Sequence, residues 1–222
     1  MNKKFITDQY IGFMDNKRVQ NVLKFYQSTV NIQELYNLWY KNKEYIVDKI
    51  NIKAYDNYFD LPESYMESVS FNRLSIKEKI VMEKMNDFFK NQEFIYILPI
   101  FIIDKSNNIP SGIYSVDFKN KVLYKYKEFE RQNFGMEVFK ESFNICISYF
   151  IDLNESVFLD GELGFINGII QIGRLYENIE SVAKEKEFET YSKFVPQQSF
   201  THKLGINCRL QLFIKNQVLR GI

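Results

Sequence analysis

One histidine in 222 residues sets a narrow range of chemistry. His202 lies in a polar segment with no nucleophile motif near it, so no hydrolytic triad can be assembled around it. The two cysteines, Cys146 and Cys208, form no C-x-x-C pair and sit in apolar, strand-like segments. They read as reduced, buried, structural thiols. With one His and two distant Cys, a metal site would have only carboxylates to draw on. Neither G-x-G-x-x-G nor a P-loop occurs. Glu162, followed by Arg174 and Glu177 in the same predicted helix, reads as structural pairing rather than acid–base machinery.

The totals exclude further classes. Twenty-nine basic and 28 acidic residues nearly cancel, and no basic stripe appears. Nucleic acid and an anionic membrane surface are therefore not expected as partners. Fifteen Tyr and 21 Phe could stack bases, but no basic residues interleave with them. The first residues, MNKKFITDQYIGFMDNKR, hold no apolar core of a secretory signal, and the longest apolar run, Phe94 to Ile103, is about half a membrane span. A cytoplasmic protein is expected. A chain of this length buries about 70% of its unfolded surface and needs no covalent staple.

The element that must position any site is the stretch Glu155 to Val182. Phe158, Leu159, Ile166, Ile169, Ile170, Leu175, Ile179 and Val182 recur at helical spacing, so broadly that burial on most sides is expected. Asp160 is a candidate cap. Gly161, Gly164, Gly168 and Gly173 each cost a helix about 0.5–1 kcal/mol relative to Ala, which suggests close backbone approach by the sheet or by a second subunit.

Upstream, residues 18–47 read as two helices and 50–72 as irregular. Ser75 and Glu78 form a capping-box pattern opening a helix to about Phe89. Phe94 to Ile103 reads as a buried strand that Pro99 places near an edge or at a bulge. Gly112–Val116 and Val122–Tyr126 read as a hairpin around Asp117–Asn120. A short helix is expected at 134–142, a strand at Phe143–Leu153, an amphipathic helix at Glu185–Val195, and a closing strand at Ile206–Ile214. The mixture lacks a βαβ rhythm, so the fold class is α+β.

The order of these elements resembles the azoline dehydrogenases of the nitroreductase superfamily. Those flavoenzymes make thiazoles and oxazoles in streptolysin- and microcin-type peptides. The resemblance is carried by RLSIKEKIVMEKMNDFF, by IYILPIFII with the following IPSGIYSVDFKNKVLYKYK, by Glu162-Leu163-Gly164, and by the terminal RLQLFIK. It covers residues 73–215. It implies a mixed or antiparallel sheet around a long central helix over residues 61–222, with a helical appendage over 1–60. It also implies FMN sites shared across a dimer interface.

The flavin motifs of that family are degenerate here. Arg73 is the only Arg where the family carries an Arg cluster, and Lys90-Asn91-Gln92-Glu93 replaces a P-S-G-G loop. YFIDLNESVFLDG lacks the catalytic Lys, and NIESVAKEKEFE lacks the glycine of the flavin-covering loop. The expectation is a catalytically silent subunit that pairs with an active FMN-dependent dehydrogenase, or docks the precursor peptide, in an azole-forming complex. The alternative is a divergent azoline dehydrogenase whose FMN contacts are Arg73, Ser111, Gly112 and Arg209.

Overall fold

The computed structural model describes residues 65–221 other than 93, 107, 154–155, 157–159, 161 and 207–210. The appendage expected over 1–60, together with Cys208 and Arg209, lies outside the described residues.

Ser75 opens the first described helix, α1 (Ile76–Lys90), with a complete capping box. The Glu78 amide donates to Ser75 Oγ at 3.3 Å, and the Ser75 amide donates to Glu78 Oε2 at 3.0 Å. Two donors that a helix start leaves orphaned are thereby satisfied. Replacing Ser75 with Ala is expected to cost about 1 kcal/mol, read as a lower urea midpoint at unchanged slope.

Seven strands form one sheet in the order β1-β4-β3-β2-β5-β7-β6. They are β1 (Glu67–Ser70), β2 (Ile97–Ile103), β3 (Gly112–Asp117), β4 (Val122–Lys127), β5 (Ile145–Asp152), β6 (Phe188–Tyr191) and β7 (Gln211–Gly221). Every neighbouring pair is antiparallel. Among the described residues, further helices are α2 (Arg131–Phe134), α3 (Glu162–Glu185) and α4 (Gln197–Leu204). The α+β class and the antiparallel sheet expected from the sequence are present.

The central strands are apolar on both faces because both are covered. Phe101, Tyr149 and Ile151 point toward α1 and α3, where Phe118 gathers the rings of Phe71, Phe89 and Phe101. Ile100, Ile102, Cys146 and Phe150 face the opposite cluster of Phe134, Phe139, Phe200 and Leu204. Period-two side-chain alternation thus produces continuous apolar runs instead of alternating ones.

Several expectations need correction. β2 lies inside the sheet, not at an edge, paired with β3 and β5. Its ladder with β3 runs only from Phe101 to Ile103, so the missing amide of Pro99 disrupts no pairing there. The helix expected at Glu185–Val195 is absent. α3 ends at Glu185, Glu187 adopts φ 60, and the chain returns as β6 against β7. The short helix of 134–142 is split into α2 and a 3₁₀ turn at Glu137–Phe139, separated by Gly135 at φ 58. Residues 67–73, expected to be irregular, contain β1 and a 3₁₀ turn. The closing strand begins later and runs through Gly221.

Candidate functional site

α3 is held to the sheet by polar and apolar contacts that only its sequence permits. Gln171 is buried; it accepts the Tyr96 amide proton at 3.0 Å and donates to the Phe94 carbonyl at 2.9 Å. Gln217 of β7 donates to the Tyr176 carbonyl at 3.1 Å and accepts from Tyr149 Oη at 2.6 Å. Tyr149→Phe would leave the Gln217 acceptor buried without that donor. A loss of about 1–3 kcal/mol is expected in thermal unfolding. Asp160 accepts from Tyr96 Oη and from Asn167 Nδ2.

The helix is not buried on most sides. Ile172, Leu175, Ile179 and Ala183 face the sheet, while Ile169 and Ile170 remain 42% and 48% exposed. A Cβ built on Gly173 would meet nothing within 4 Å, whereas one on Gly164 would lie 1.8 Å from the Ser156 carbonyl oxygen and one on Gly168 would lie 3.0 Å from the Ile151 side chain. Two of the glycines therefore serve contacts inside the chain. Gly173 opens onto the same outer side as the exposed isoleucines.

The described candidate cofactor residues, Arg73, Ser111 and Gly112, lie toward the part of the sheet formed by β1, β3 and β4. Arg73 Nη2 donates to the Asn108 carbonyl at 2.9 Å, which brings its guanidinium to the Pro110–Gly112 loop. Its Nη1 donates to Glu67 Oε1 at 3.4 Å. Ser111 Oγ donates to the Phe129 carbonyl at 2.9 Å. Gly112 leaves room for the Lys125 stem, since a Cβ there would fall 2.6 Å from Lys125 Cε. Lys125 is buried along that stem and reaches Glu128 at 2.8 Å. Tyr114 Oη donates to the Pro110 carbonyl at 2.7 Å. Burial, then Glu67 and Glu128, push the Tyr114 phenol up, with Arg73 opposing, so it stays a neutral donor.

An FMN phosphate held here would need free, convergent donors. The Arg73 fork is engaged by a carboxylate and a carbonyl, the Ser111 proton is committed, and the Gly112 notch is filled by a lysine stem. The described part of the set does not fit a phosphate grip. Lys125, Tyr114, Glu67 and Glu128 complete the corner and were not singled out from sequence. Only the nearness of Lys125 to Gly112 in a hairpin register, paired through Tyr114, could have pointed to them.

Other candidates resolve simply. His202 is exposed on α4. Among the described residues, no group of three His, Cys, Asp or Glu side chains could hold a metal, and no helix is long and apolar enough to cross a membrane. Burial pushes the Cys146 thiol up to about 12, with Ser148 opposing. The folded chain therefore keeps a proton that the unfolded chain releases near the ordinary value of 9.0. That contribution to stability is full below about pH 9 and is lost as pH rises toward about 12. Urea midpoints should fall across that window, and Cys146→Ala should flatten the fall. A cleft of about 740 Å³ is lined by charges of both signs, including Arg131, which pairs with Asp104 at 3.2 Å.

No family model matches the chain, and no curated protein matches it. Solved structures do. A proposed nitroreductase from Anabaena variabilis superposes with a TM-score of 0.56 at 14% identity, covering 71% of this chain. This chain spans 36% of that protein's length. The Escherichia coli microcin synthetase McbBCD complex, solved with truncated pro-MccB17 bound, matches with a TM-score of 0.55 at 11% identity, over 74% of this chain and 71% of the matched one. A proposed nitroreductase from Ralstonia eutropha matches with a TM-score of 0.52 at 12% identity, over 73% and 87%. These likenesses establish a nitroreductase-like fold.

Proposed function

We propose that this chain is a nitroreductase-like subunit of a complex that forms thiazoles or oxazoles in a precursor peptide. It is catalytically silent and pairs with an active FMN-dependent dehydrogenase in the cytoplasm. The observation that carries the reading is the corner around Arg73. The scaffold and the loop are retained, yet Arg73, Ser111 and Gly112 are each occupied by partners within the chain. No redox step is assigned to these residues.

The exposed Ile169 and Ile170 beside the open Gly173 supply a face for a partner. The likeness to a peptide-bound synthetase complex supports the peptide as substrate of the assembly. The test is azole formation by the chain reconstituted with the proteins encoded beside it, read by mass spectrometry of the peptide. Arg73→Ala is expected to leave azole yield unchanged, because Arg73 braces a loop and holds no flavin. Loss of azoles with the complex still assembled would overturn the silent role.

One observation favours a second reading, a divergent dehydrogenase that binds FMN itself. Arg73 and the Pro110–Gly112 loop, distant in sequence, are joined through the Asn108 carbonyl. FMN would then have to displace Glu67 from the guanidinium. Flavin retained by the isolated chain, and lost in Arg73→Ala, would establish this reading in place of the first.

A further inference from the structure

We propose that the outer edge of β7 over Gln211–Lys215 receives a short, extended, acidic polypeptide segment, which joins the sheet as an added strand. The inference goes beyond the role proposed above and does not depend on it.

β7 is eleven residues long and is paired unequally on its two sides. β5 runs beside it from Gln211 through Leu219, while β6 pairs only with Val218 to Gly221. Past Tyr191 the chain leaves the ladder at one pinned point. Ser192 Oγ and the Lys193 amide both donate to Asn216 Oδ1 at 3.2 Å, and Asn216 Nδ2 donates to the Lys193 carbonyl at 3.0 Å. Asn216 is 1% exposed, so this clasp is part of the core. Beyond it, among the described residues, no strand pairs with the outer side of Gln211–Lys215. An edge of unpaired amides and carbonyls is chemically matched by another extended backbone.

The groove beside this edge defines the occupant further. It has a volume of about 260 Å³ and lies between residues 192–197 and β7. Phe194, Val195, Phe213 and Ile214 give it apolar walls, and Lys193 and Lys215 stand at its rim. Phe194 is 89% exposed, a large apolar surface left to solvent at the groove's lip. Lys215 Nζ lies 3.8 Å from the Tyr176 ring centroid and Lys193 Nζ 5.7 Å from that of Tyr191. No ion pair between described residues takes either ammonium. Lys215 lies over Tyr176 on the α3 face and Lys193 over Tyr191 on the opposite face, so the edge suits an extended segment with acidic side chains on both of its faces. The register shift between Tyr149 and Phe150 leaves Ile214 as a bulge in β7. A bulge breaks a long flat edge and limits the added strand to a few residues.

The experiment uses the full chain and a synthetic, fluorescein-labelled peptide of repeated Glu-Glu-Val-Val, which as a strand carries carboxylates on both faces. Its control is the same peptide N-methylated at every second amide, which removes the strand-pairing donors. The proposal expects saturable binding of the first peptide, with slowed hydrogen exchange confined to residues 211–217. N-methylation and Lys215→Glu should each weaken binding on the order of tenfold or more, and Lys215→Arg should restore it. Lys193→Glu provides a second variant if Lys215→Glu fails to fold. Equal binding of the N-methylated peptide, or binding without protection of 211–217, overturns the proposal. So does protection, before peptide is added, of those amides of 211–215 that point away from β5: if independent of protein concentration, the chain's own residues already cover the edge; if it rises with concentration, a second copy does.

Discussion

Gly164→Ala is expected to be the most damaging single substitution in the described part of the chain. A Cβ at this position would lie 1.8 Å from the Ser156 oxygen and 2.4 Å from its carbonyl carbon. These are backbone atoms, so no side-chain rotation relieves the overlap; either the start of α3 or the segment after β5 must move. Overpacking of this kind costs about 3 kcal/mol or more, a large part of the stability of a domain this size. The intrinsic helix propensity of Ala works in the opposite direction by about 1 kcal/mol and does not compensate. Thermal unfolding should show a large fall in midpoint. Gly173→Ala supplies the comparison: its Cβ meets nothing, so the isolated chain should gain up to about 1 kcal/mol. Equal effects of the two substitutions would contradict the assignment of Gly164 to close approach within the chain.

Ile169→Asp combined with Ile170→Asp is expected to leave the isolated chain folded and to abolish pairing with its partner. Both residues are about half exposed, so the double change should cost the isolated chain about 1.5–3 kcal/mol, less than the stability of a domain this size. In an interface they would stand at the centre of an apolar face with Gly173 beside them. Two central anchors replaced by carboxylates should weaken association on the order of 100-fold or more. Sedimentation of the chain mixed with a candidate dehydrogenase partner reads this directly. Unchanged association would place the interface elsewhere.

What was legible in the sequence is what local chemistry decides. Ser75 and Glu78 stand three residues apart, and a capping box needs only that spacing. The Asp117–Asn120 turn is similarly local, with Asp117 Oδ1 accepting the Asn120 amide proton at 2.9 Å. The long central helix and the buried central strands followed from apolar periodicity, and the α+β class followed from their order.

What was not legible depends on partners distant in sequence. β6 starts at the end of KEKEFE, a charged run that reads as a solvated helix; pairing with β7 and burial of Phe188 make it a strand. α4 begins at Pro196 without a side-chain cap, so no start signal marks it. Instead it is tied into the fold at its C-terminal end, where Lys127 Nζ donates to the Lys203 carbonyl at 2.6 Å. Ile169 and Ile170 read as core because periodicity cannot separate a buried apolar face from an exposed one. Of the candidate site, Arg73, Ser111 and Gly112 were named from sequence, but their engagement by Glu67, Asn108, Phe129 and Lys125 is a tertiary fact.

The measurement that tests the central claim most directly is the visible absorption spectrum of the purified chain, alone and then copurified with the products of its neighbouring genes. The account predicts a colourless chain alone and flavin absorbance only in the mixed complex. A yellow chain alone, carrying flavin that survives gel filtration, would contradict it.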